Sequence, residues 1–331
     1  MRRYCVLLFL LSAATWYCSE PILAGDGADS NARRPAGEVQ LRAWLENMVW
    51  HHRFTMQELI AATGLASEEL AAALKRFDLR AETRPVRDAG LPLLVLPYPG
   101  GRHPRVGFLE GAIRPQRETK VSVFSPWNDA HYVVLDIPEA IWWKPEEREL
   151  LYLAHTHIPT TWEKREIELK QTEWQVQQHG LLRMERTLPN GISFRTLVRP
   201  RRDGVLMEMS LTNGTDRKLQ GLDVQACVML KGAPPFSAAS DENKFSAQPY
   251  VACCDREAGR WVITAWEPCQ RVWNNSRCPC IHSDPRFPDC DPGETVRLRG
   301  WLSFYQGPDI EGEFKRLDRL SWRTDELVAP D

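Results

Sequence analysis

The sequence predicts a mainly β protein, with a large antiparallel β-sandwich, a small helical module before it and a short helix after it. Apolar residues make up 43 % and charged residues 26 % of the 331 residues, as in a globular protein with a full-sized core. From about residue 90 the apolar residues recur with a period of two, and Pro, Gly, Asn and Asp separate the short runs. Helical patterns do not alternate with these runs, which favours antiparallel pairing.

The first 24 residues are predicted to be a signal peptide. Arg2 and Arg3 provide the charged start, and residues 4–17 form an apolar run that is too short to cross a bilayer as a helix. Ala24 precedes the expected cleavage point. We therefore expect export to the periplasm or the extracellular space, without stable membrane insertion. Residues 25–37 are rich in Gly, Ala, Asp, Arg and Pro and are expected to form a flexible leader.

Residues 38–80 are predicted to form three short helices. Apolar residues recur at helical spacing in residues 41–48. Thr55 and Glu58 have the spacing of a capping box, so a second helix is expected to begin there. Ser67 is expected to cap the third helix.

The order of these helices resembles the helix-turn-helix of DNA-binding proteins, through residues 57–59, 61, 64–65, 70 and 74. DNA binding requires a basic recognition helix, whereas residues 38–80 carry five basic and six acidic side chains, a net charge of −1. The whole chain has a net charge of −2, so no global positive field attracts nucleic acid. We predict no nucleic-acid partner and expect the module to pack on the sandwich or to bind a protein partner.

The sandwich is predicted to span residues 90–308, and the last helix residues 309–322. Residues 188–191 and 212–216 are typical of tight turns between strands. The short strands have no helices between them and the sequence contains no glycine-rich phosphate loop, which excludes a βαβ enzyme. The sequence contains no internal repeat. The predicted strands are 93–96, 106–113, 120–124, 132–137, 150–154, 181–188, 192–198, 205–212, 219–230, 261–266 and 295–305.

Residues 204–213, 219–229 and 291–294 resemble the large β-sandwiches of galactose mutarotase-like and polysaccharide-lyase-accessory proteins. The shared pattern is a strand, an Asn turn, a second strand and a Pro-Gly-Glu lead-in to the last long strand. This resemblance implies a sandwich that binds or acts on carbohydrate. The whole chain also resembles exported bacterial proteins of unknown function, through residues 278–285 and 300–305, and that likeness implies no activity.

The cysteines are concentrated in one part of the chain. Two of the 9 lie in the predicted signal peptide, Cys227 stands alone in an apolar run, and six lie within 38 residues. In an oxidising compartment this cluster predicts a disulfide framework that fixes one long loop, residues 253–290, with the pairing left open. The cysteines of this framework are Cys253, Cys254, Cys269, Cys278, Cys280 and Cys290.

Two patterns are able to bind a metal ion, although we predict no metal and no other cofactor. His155 and His157 would point to one side of a strand and, with Glu163, are similar to the first motif of the cupin family. The glycine and the later histidine of that family are missing. A second set offers three thiolates and an imidazole, as in a structural zinc site, but expected export favours disulfides: Cys278, Cys280, His282 and Cys290.

Residues 261–284 are the richest in side chains suited to sugar chemistry. Glu267 and His282 match by residue type the base and the acid with which mutarotase-like families open a sugar ring, and Arg271 suits a polar or acidic group. Alternatively, Glu267 and Arg271 form only a local ion pair. Tryptophan faces pack on the C–H surfaces of sugars, and the expected ligand-binding residues are Trp142, Trp266, Trp273 and Asp284.

Three functional hypotheses follow from the sequence. The leading one is a carbohydrate-associated binding module, based on the sandwich pattern, the 13 tryptophans and export. The second is a sugar-acting enzyme of mutarotase or lyase type, which requires Glu267, His282 and Arg271 to meet in one cleft. The third is a cell-envelope protein whose residues 38–80 bind a protein partner.

Overall fold

Two antiparallel β-sheets form the body of the protein, which confirms the predicted fold class. The computed structural model describes residues 32–88, 90–104, 117–154 and 158–327. In chain order the strands of these ranges are β1 (Val95–Pro97), β2 (Lys120–Phe124), β3 (Tyr132–Trp143), β4 (Glu149–Leu153), β5 (Gln175–Val176), β6 (Leu182–Thr187), β7 (Ser193–Pro200), β8 (Val205–Thr212), β9 (Asp223–Met229), β10 (Lys244–Ala247), β11 (Tyr250–Asp255), β12 (Arg260–Glu267), β13 (Cys269–Asn275), β14 (Cys280–Pro285) and β15 (Thr295–Gln306).

Strands from distant parts of the chain become neighbours in both sheets. The seven-stranded sheet has the order β1-β2-β3-β9-β14-β13, and β4 also pairs with β3. The eight-stranded sheet has the order β10-β11-β12-β15-β8-β7-β6-β5. The two sheets enclose the main core, to which Leu135 and Val228 contribute from the first sheet and Met207 and Leu298 from the second. The face of the seven-stranded sheet that points away from this core is called the outer face.

The segment 253–290 is not the disulfide-fixed loop that the cysteines predict. It contains half of β11 and all of β12, β13 and β14, and these strands are divided between the two sheets. Side chains alternate along a strand, so the adjacent Cys253 and Cys254 point to opposite faces of β11. None of the seven cysteines of the described residues forms a disulfide bond. The prediction of disulfides is therefore wrong for Cys253, Cys254, Cys269, Cys278, Cys280 and Cys290.

The predicted three-helix module is confirmed. The capping box is present, because the Glu58 amide donates to the Thr55 hydroxyl at 3.3 Å and the Thr55 amide donates to the Glu58 carboxylate at 2.8 Å. The third helix begins at Ser67, and its cap is Ala66, whose amide donates to the Glu69 carboxylate at 2.8 Å. The helices are α1 (Glu38–Glu46), which continues as a π-helical turn (Asn47–His51), α2 (Met56–Thr63) and α3 (Ser67–Arg76).

His52 joins the helical module to the outer face. Its Nε2 lies 2.7 Å from the Ser122 hydroxyl, and its Nδ1 lies 3.2 Å from the Asn47 carbonyl. The ring also makes edge contacts with Phe124 and Tyr132. The side chain is buried, and this burial lowers the pKa of His52 to about 3. A neutral imidazole therefore links the helices to the sheet.

Residues 32–37, predicted as part of a flexible leader, are tied to the sandwich through Arg33. Its guanidinium binds Glu118 at 2.8 Å and Glu173 at 2.7 Å, and Arg186 also binds Glu118. The side chains of Arg33 and Glu118 are largely buried, which makes this network more than a surface contact. The remainder of the leader, the predicted signal peptide and the predicted strand 106–113 lie outside the described residues.

The predicted C-terminal helix is confirmed as α4 (Ile310–Asp318), and it covers the eight-stranded sheet on the side away from the main core. Phe314 stacks on Tyr250 with ring centroids 4.8 Å apart. Leu317 and Trp322 are buried in the same cluster as Trp301 of β15. Among the described residues, no helix combines the length and the apolar character needed to cross a membrane.

Acid is expected to destabilise the fold through His52. The unfolded imidazole has a pKa of 6.5 and the folded one a pKa of about 3, so the unfolded state binds more protons between these values. Stability that is present above pH 6.5 is therefore lost as the pH falls, by about 2 kcal/mol between pH 7 and pH 5. Arg102, a charged neighbour of the ring, also lowers the pKa of His52.

Urea unfolding at the two pH values measures this loss. His52→Gln is expected to remove about this part of the pH dependence, because the glutamine side chain does not titrate. A variant that keeps the full pH dependence of the parent protein would contradict the role of His52.

Candidate functional site

A row of polar side chains crosses four strands of the outer face. Residues that pair directly in an antiparallel ladder point to the same face of the sheet. The pairing of β3, β9, β14 and β13 therefore aligns Asp136, Cys227, His282 and Trp273. Lys120 extends the row onto β2 and binds Asp136 at 3.0 Å, with both side chains buried. The sheet thus brings together residues that are up to 162 positions apart in the chain.

Five of the seven predicted catalytic and ligand-binding residues lie on this outer face. Two of them, His282 and Trp273, belong to the row just described. Arg271 pairs with Asp284 one step further along β13 and β14, and Trp142 pairs with Asp223 between β3 and β9.

Asp284 positions two of these side chains. Its carboxylate accepts hydrogen bonds from Trp273 Nε1 at 2.7 Å, from Arg271 Nε at 2.8 Å and from the Ala226 amide at 3.1 Å. Asp284 is buried, and burial raises its pKa above the ordinary value although these donors oppose the shift. The indole of Trp273 stacks on the imidazole of His282, with centroids 3.8 Å apart. Asp284 therefore fixes both the indole and the guanidinium.

The imidazole of His282 lies between carboxylates and thiols. Its Nδ1 is 3.7 Å from the Glu139 carboxylate and 3.8 Å from the Asp284 carboxylate. Gln225 donates a hydrogen bond to Glu139 at 2.8 Å. On the opposite side of the ring, Nε2 is 3.3 Å from the sulfur of Cys280. The two ring nitrogens therefore face groups of different chemistry.

Cys227 and Cys280 lie next to this second nitrogen, and Cys278 contacts Cys280; with His282 these residues form the thiol–imidazole cluster. The donor atoms of Cys227, Cys280 and His282 all lie within 4.8 Å of one another. Hydrogen bonds with the Cys227 and Cys278 thiols, together with burial, raise the pKa of the Cys280 thiol. The three cysteines are 1–2 % exposed. Such soft donors suit a thiophilic metal ion.

The cluster differs by one residue from the set considered in the sequence. Cys227, which the sequence leaves unassigned, occupies the place expected for Cys290. Cys290 belongs to the main core, where its thiol donates to the Glu294 carbonyl at 3.3 Å. The difference arises because β9, which carries Cys227, pairs with β14.

Glu267 and Trp266 lie on β12, in the other sheet. Glu267 binds Arg323 at 2.8 Å, while Arg271 binds Asp284, so the local ion pair between Glu267 and Arg271 does not form. Trp266 is buried in the main core, where it lies across Gly300. A Cβ at Gly300 would come within 2.6 Å of the indole, so the glycine makes room for this ring. The Trp266 ring is therefore not available to a ligand.

The cupin-like histidines His155 and His157 lie outside the described residues. Glu163, the third member of that set, begins a short 3₁₀ turn (Glu163–Arg165). Its carboxylate accepts a hydrogen bond from the Thr160 amide at 2.7 Å. This contact is local to the turn.

Sequence reasoning missed Glu139, Gln225 and Cys227. Glu139 follows a proline in a long apolar run, and the other two lie in a run that is interpreted as core. One signal was present, because Cys227 has a soft neighbour two positions on, Met229, and Cys280 has His282 at the same spacing. Residues two apart on a strand point to the same face, so two paired strands with this spacing place all four of these side chains on one face.

Comparison with known proteins gives structural similarity at low sequence identity. No protein-family model and no curated protein matches the chain. It is similar to a heparan sulfate lyase from Pedobacter heparinus, with 12 % identity and a TM-score of 0.31 over 57 % of this chain and 36 % of that one. A polysaccharide lyase gives 13 % identity and a TM-score of 0.34, over 68 % of this chain and 34 % of the lyase. A protein from Synechocystis sp. PCC 6803 gives 9 % identity and a TM-score of 0.33, over 57 % of this chain and 88 % of that protein.

The chain spans about a third of the length of the two lyases. We therefore infer its function from its own contacts.

Asp284→Ala is expected to destabilise the protein by about 3 kcal/mol. The substitution removes the acceptor of three donors: the Trp273 N–H, the Ala226 amide and the Arg271 guanidinium. The Trp273 and Ala226 donors lie inside the protein, where a lost hydrogen bond is not replaced by water. Urea unfolding at neutral pH measures the loss.

Asp129 supplies the matched control. Its carboxylate also binds two arginines, Arg53 at 2.9 Å and Arg84 at 2.6 Å, but its side chain is 63 % exposed. Asp129→Ala is expected to cost less than about 1 kcal/mol. Equal losses for the two variants would show that Asp284 does not have the structural role assigned to it.

Proposed function

We propose that this protein is an exported, carbohydrate-associated β-sandwich protein that binds a saccharide at the outer face of its seven-stranded sheet. One observation carries the proposal. Trp273 and Arg271 lie side by side on the edge strand β13, and the buried Asp284 holds both. A fixed indole offers an apolar surface to sugar C–H groups, and the guanidinium beside it offers donors to hydroxyl or carboxylate groups.

The cations at this edge favour an acidic saccharide. The side chains of Arg271 and Arg286 are 56 % and 46 % exposed, although each binds one aspartate. On the same face, the guanidinium of Arg148 lies 4.0 Å from the ring centroid of Trp142. Guanidinium groups bind carboxylate and sulfate with paired hydrogen bonds, so uronic acid or sulfated residues are the expected ligands.

Burial of His282 favours binding over catalysis. A catalytic acid or base must come within hydrogen-bond reach of the reacting atoms. His282 is 1 % exposed, and the carboxylates next to it, Glu139 and Asp284, are equally buried. Glu267, the base expected from the sequence, binds Arg323 instead. These positions support a binding module rather than an enzyme of mutarotase or lyase type.

Export is proposed from residues 1–24, and burial explains how free thiols would persist in an oxidising compartment. The thiolate is the form of cysteine that reacts readily with oxidants and disulfides. Burial raises the pKa of Cys253 to about 12, and it also raises the pKa of Cys254, Cys269 and Cys290. A small thiolate fraction would protect these groups from oxidation.

We assign the helical module a structural role. His52 of the module packs against the sheet, where it contacts Ser122, Phe124 and Tyr132. This surface of the module is therefore not free for a protein partner. This contact gives the module a partner within the chain.

Affinity electrophoresis in gels that contain neutral or acidic polysaccharides tests the proposal. The protein is expected to be retarded by polysaccharides rich in uronic acid or sulfate. Arg271→Ala is expected to weaken binding about tenfold, since it removes a charged donor while Trp273 keeps its bond to Asp284. Trp142→Ala is expected to weaken binding by a similar factor, because it removes an apolar contact surface.

Arg183→Ala is the matched control. Arg183 lies on β6 of the other sheet, pairs with the carboxylate of Glu185 and is 38 % exposed. Its removal should leave retardation unchanged. Folded parent protein that is not retarded by any polysaccharide would overturn the proposal. A control variant that loses as much binding as Arg271→Ala would overturn the assignment of the site.

A further inference from the structure

We propose that Cys227, Cys278, Cys280 and His282 bind one zinc ion. The proposal does not depend on saccharide binding. Cys227 pairs directly with His282 between β9 and β14, and Cys280 precedes His282 by two residues. These three side chains therefore project from the same face of the sheet. Cys278 belongs to the turn that leads into β14, and it supplies the fourth donor.

Three of the four donor atoms lie close enough together to share one tetrahedral ion. Zinc lies about 2.3 Å from a thiolate sulfur and about 2.0 Å from an imidazole nitrogen, so neighbouring ligand atoms are about 3.5–3.8 Å apart. Cys280 Sγ lies 3.3 Å from His282 Nε2, and the Cys227 sulfur lies within 4.8 Å of both atoms. The thiol of Cys278 is in hydrogen-bonding contact with that of Cys280. Binding of one ion therefore requires the Cys278 side chain to move toward the other three donors.

The surroundings of His282 resemble those of a histidine that binds a metal. Such a histidine uses one nitrogen for the metal and directs its other N–H at a carboxylate, which fixes the ring and makes it a better ligand. Here Nε2 faces the thiols, and Nδ1 faces Glu139 and Asp284 at 3.7 and 3.8 Å. The stacked indole of Trp273 fixes the plane of the ring. The imidazole is therefore oriented before any ion binds.

A bound ion would also give one nitrogen of this buried ring, Nε2, a stronger partner than it has. A buried imidazole normally has a partner for each nitrogen. Nε2 has a thiol, which is a weak hydrogen-bond partner, and Nδ1 has no hydrogen bond. Zinc would provide a strong bond to Nε2. Binding would release the three thiol protons to solvent and form three zinc–sulfur bonds, with no change of oxidation state.

Zinc fits the donor set better than other ions do. Three thiolates and one imidazole in a closed, four-coordinate arrangement are the ligands of structural zinc. Hard cations such as Mg²⁺ and Ca²⁺ require oxygen ligands, and the four donors include none. Met229, which pairs with Cys280 on the same face, adds a soft thioether nearby. Copper(I) is therefore the competing ion that the experiment must distinguish.

Elemental mass spectrometry of the full chain, purified under reducing conditions without chelators and then incubated with Zn²⁺, tests the proposal. About one zinc ion per folded chain is expected. Replacement by Co²⁺ is expected to give the intense visible absorption of a tetrahedral cobalt–thiolate site. Cys280→Ser and His282→Asn are expected to lose the ion and this absorption.

Two further variants keep the test decisive. Cys290→Ser removes a buried thiol outside the cluster, retains a donor to the Glu294 carbonyl and is expected to keep the zinc. Glu139→Gln leaves the four ligands in place and is expected to weaken zinc binding about 10- to 100-fold. If Cys280→Ser does not fold, the zinc affinity of Glu139→Gln tests the metal site instead.

Folded, reduced protein that binds no zinc would overturn the proposal. A disulfide among Cys227, Cys278 and Cys280 in the native protein would do the same, as would stoichiometric copper(I) with no binding of zinc. Arg271→Ala is expected to keep its zinc, so a failure of the saccharide site would be distinguishable from a failure of the metal site.

Discussion

Burial of one face and of part of the other face of the seven-stranded sheet is the constraint on which the rest of the structure depends. One face packs against the eight-stranded sheet, and the helical module covers part of the other through His52. A polar group that is removed from water requires a partner inside the protein. Lys120 therefore pairs with Asp136, and Asp284 accepts three hydrogen bonds. The outer face is thus a connected polar layer rather than a second apolar core.

The regular elements could be predicted from the sequence, whereas the register between distant strands could not. Strands 120–124 and 205–212 have their predicted bounds, because their apolar pattern is clear. Strand β14 was missed because its residues are buried on both faces and include His282 and Asp284, so no alternation is visible. Arg271 and Trp273 are close to these two in the chain and share a hairpin with them. Cys227 and Glu139 reach the site only through the pairing of β9 with its neighbours, which residue types do not encode.

The two proposed sites share one aromatic stack. Trp273 contacts His282 through its ring face and Asp284 through its N–H, so its position depends on both. An ion that fixes the imidazole would therefore also fix the surface offered to a saccharide, without touching the ligand. Such a coupling would be expressed as a difference in saccharide affinity between zinc-loaded and zinc-free protein.

The central position of β15 makes completion of the eight-stranded sheet depend on residues 295–306. This strand lies between β12 and β8 and pairs with both along most of its length. Without it, β10–β12 and β5–β8 are two separate half-sheets, and each presents an unpaired edge that another chain is able to extend. Thr212 and Thr295, which face each other across β8 and β15, are 83 residues apart, so this closure is slow compared with local hairpins. Translation or truncation that stops before residue 295 would leave both edges open, and aggregation would then compete with folding.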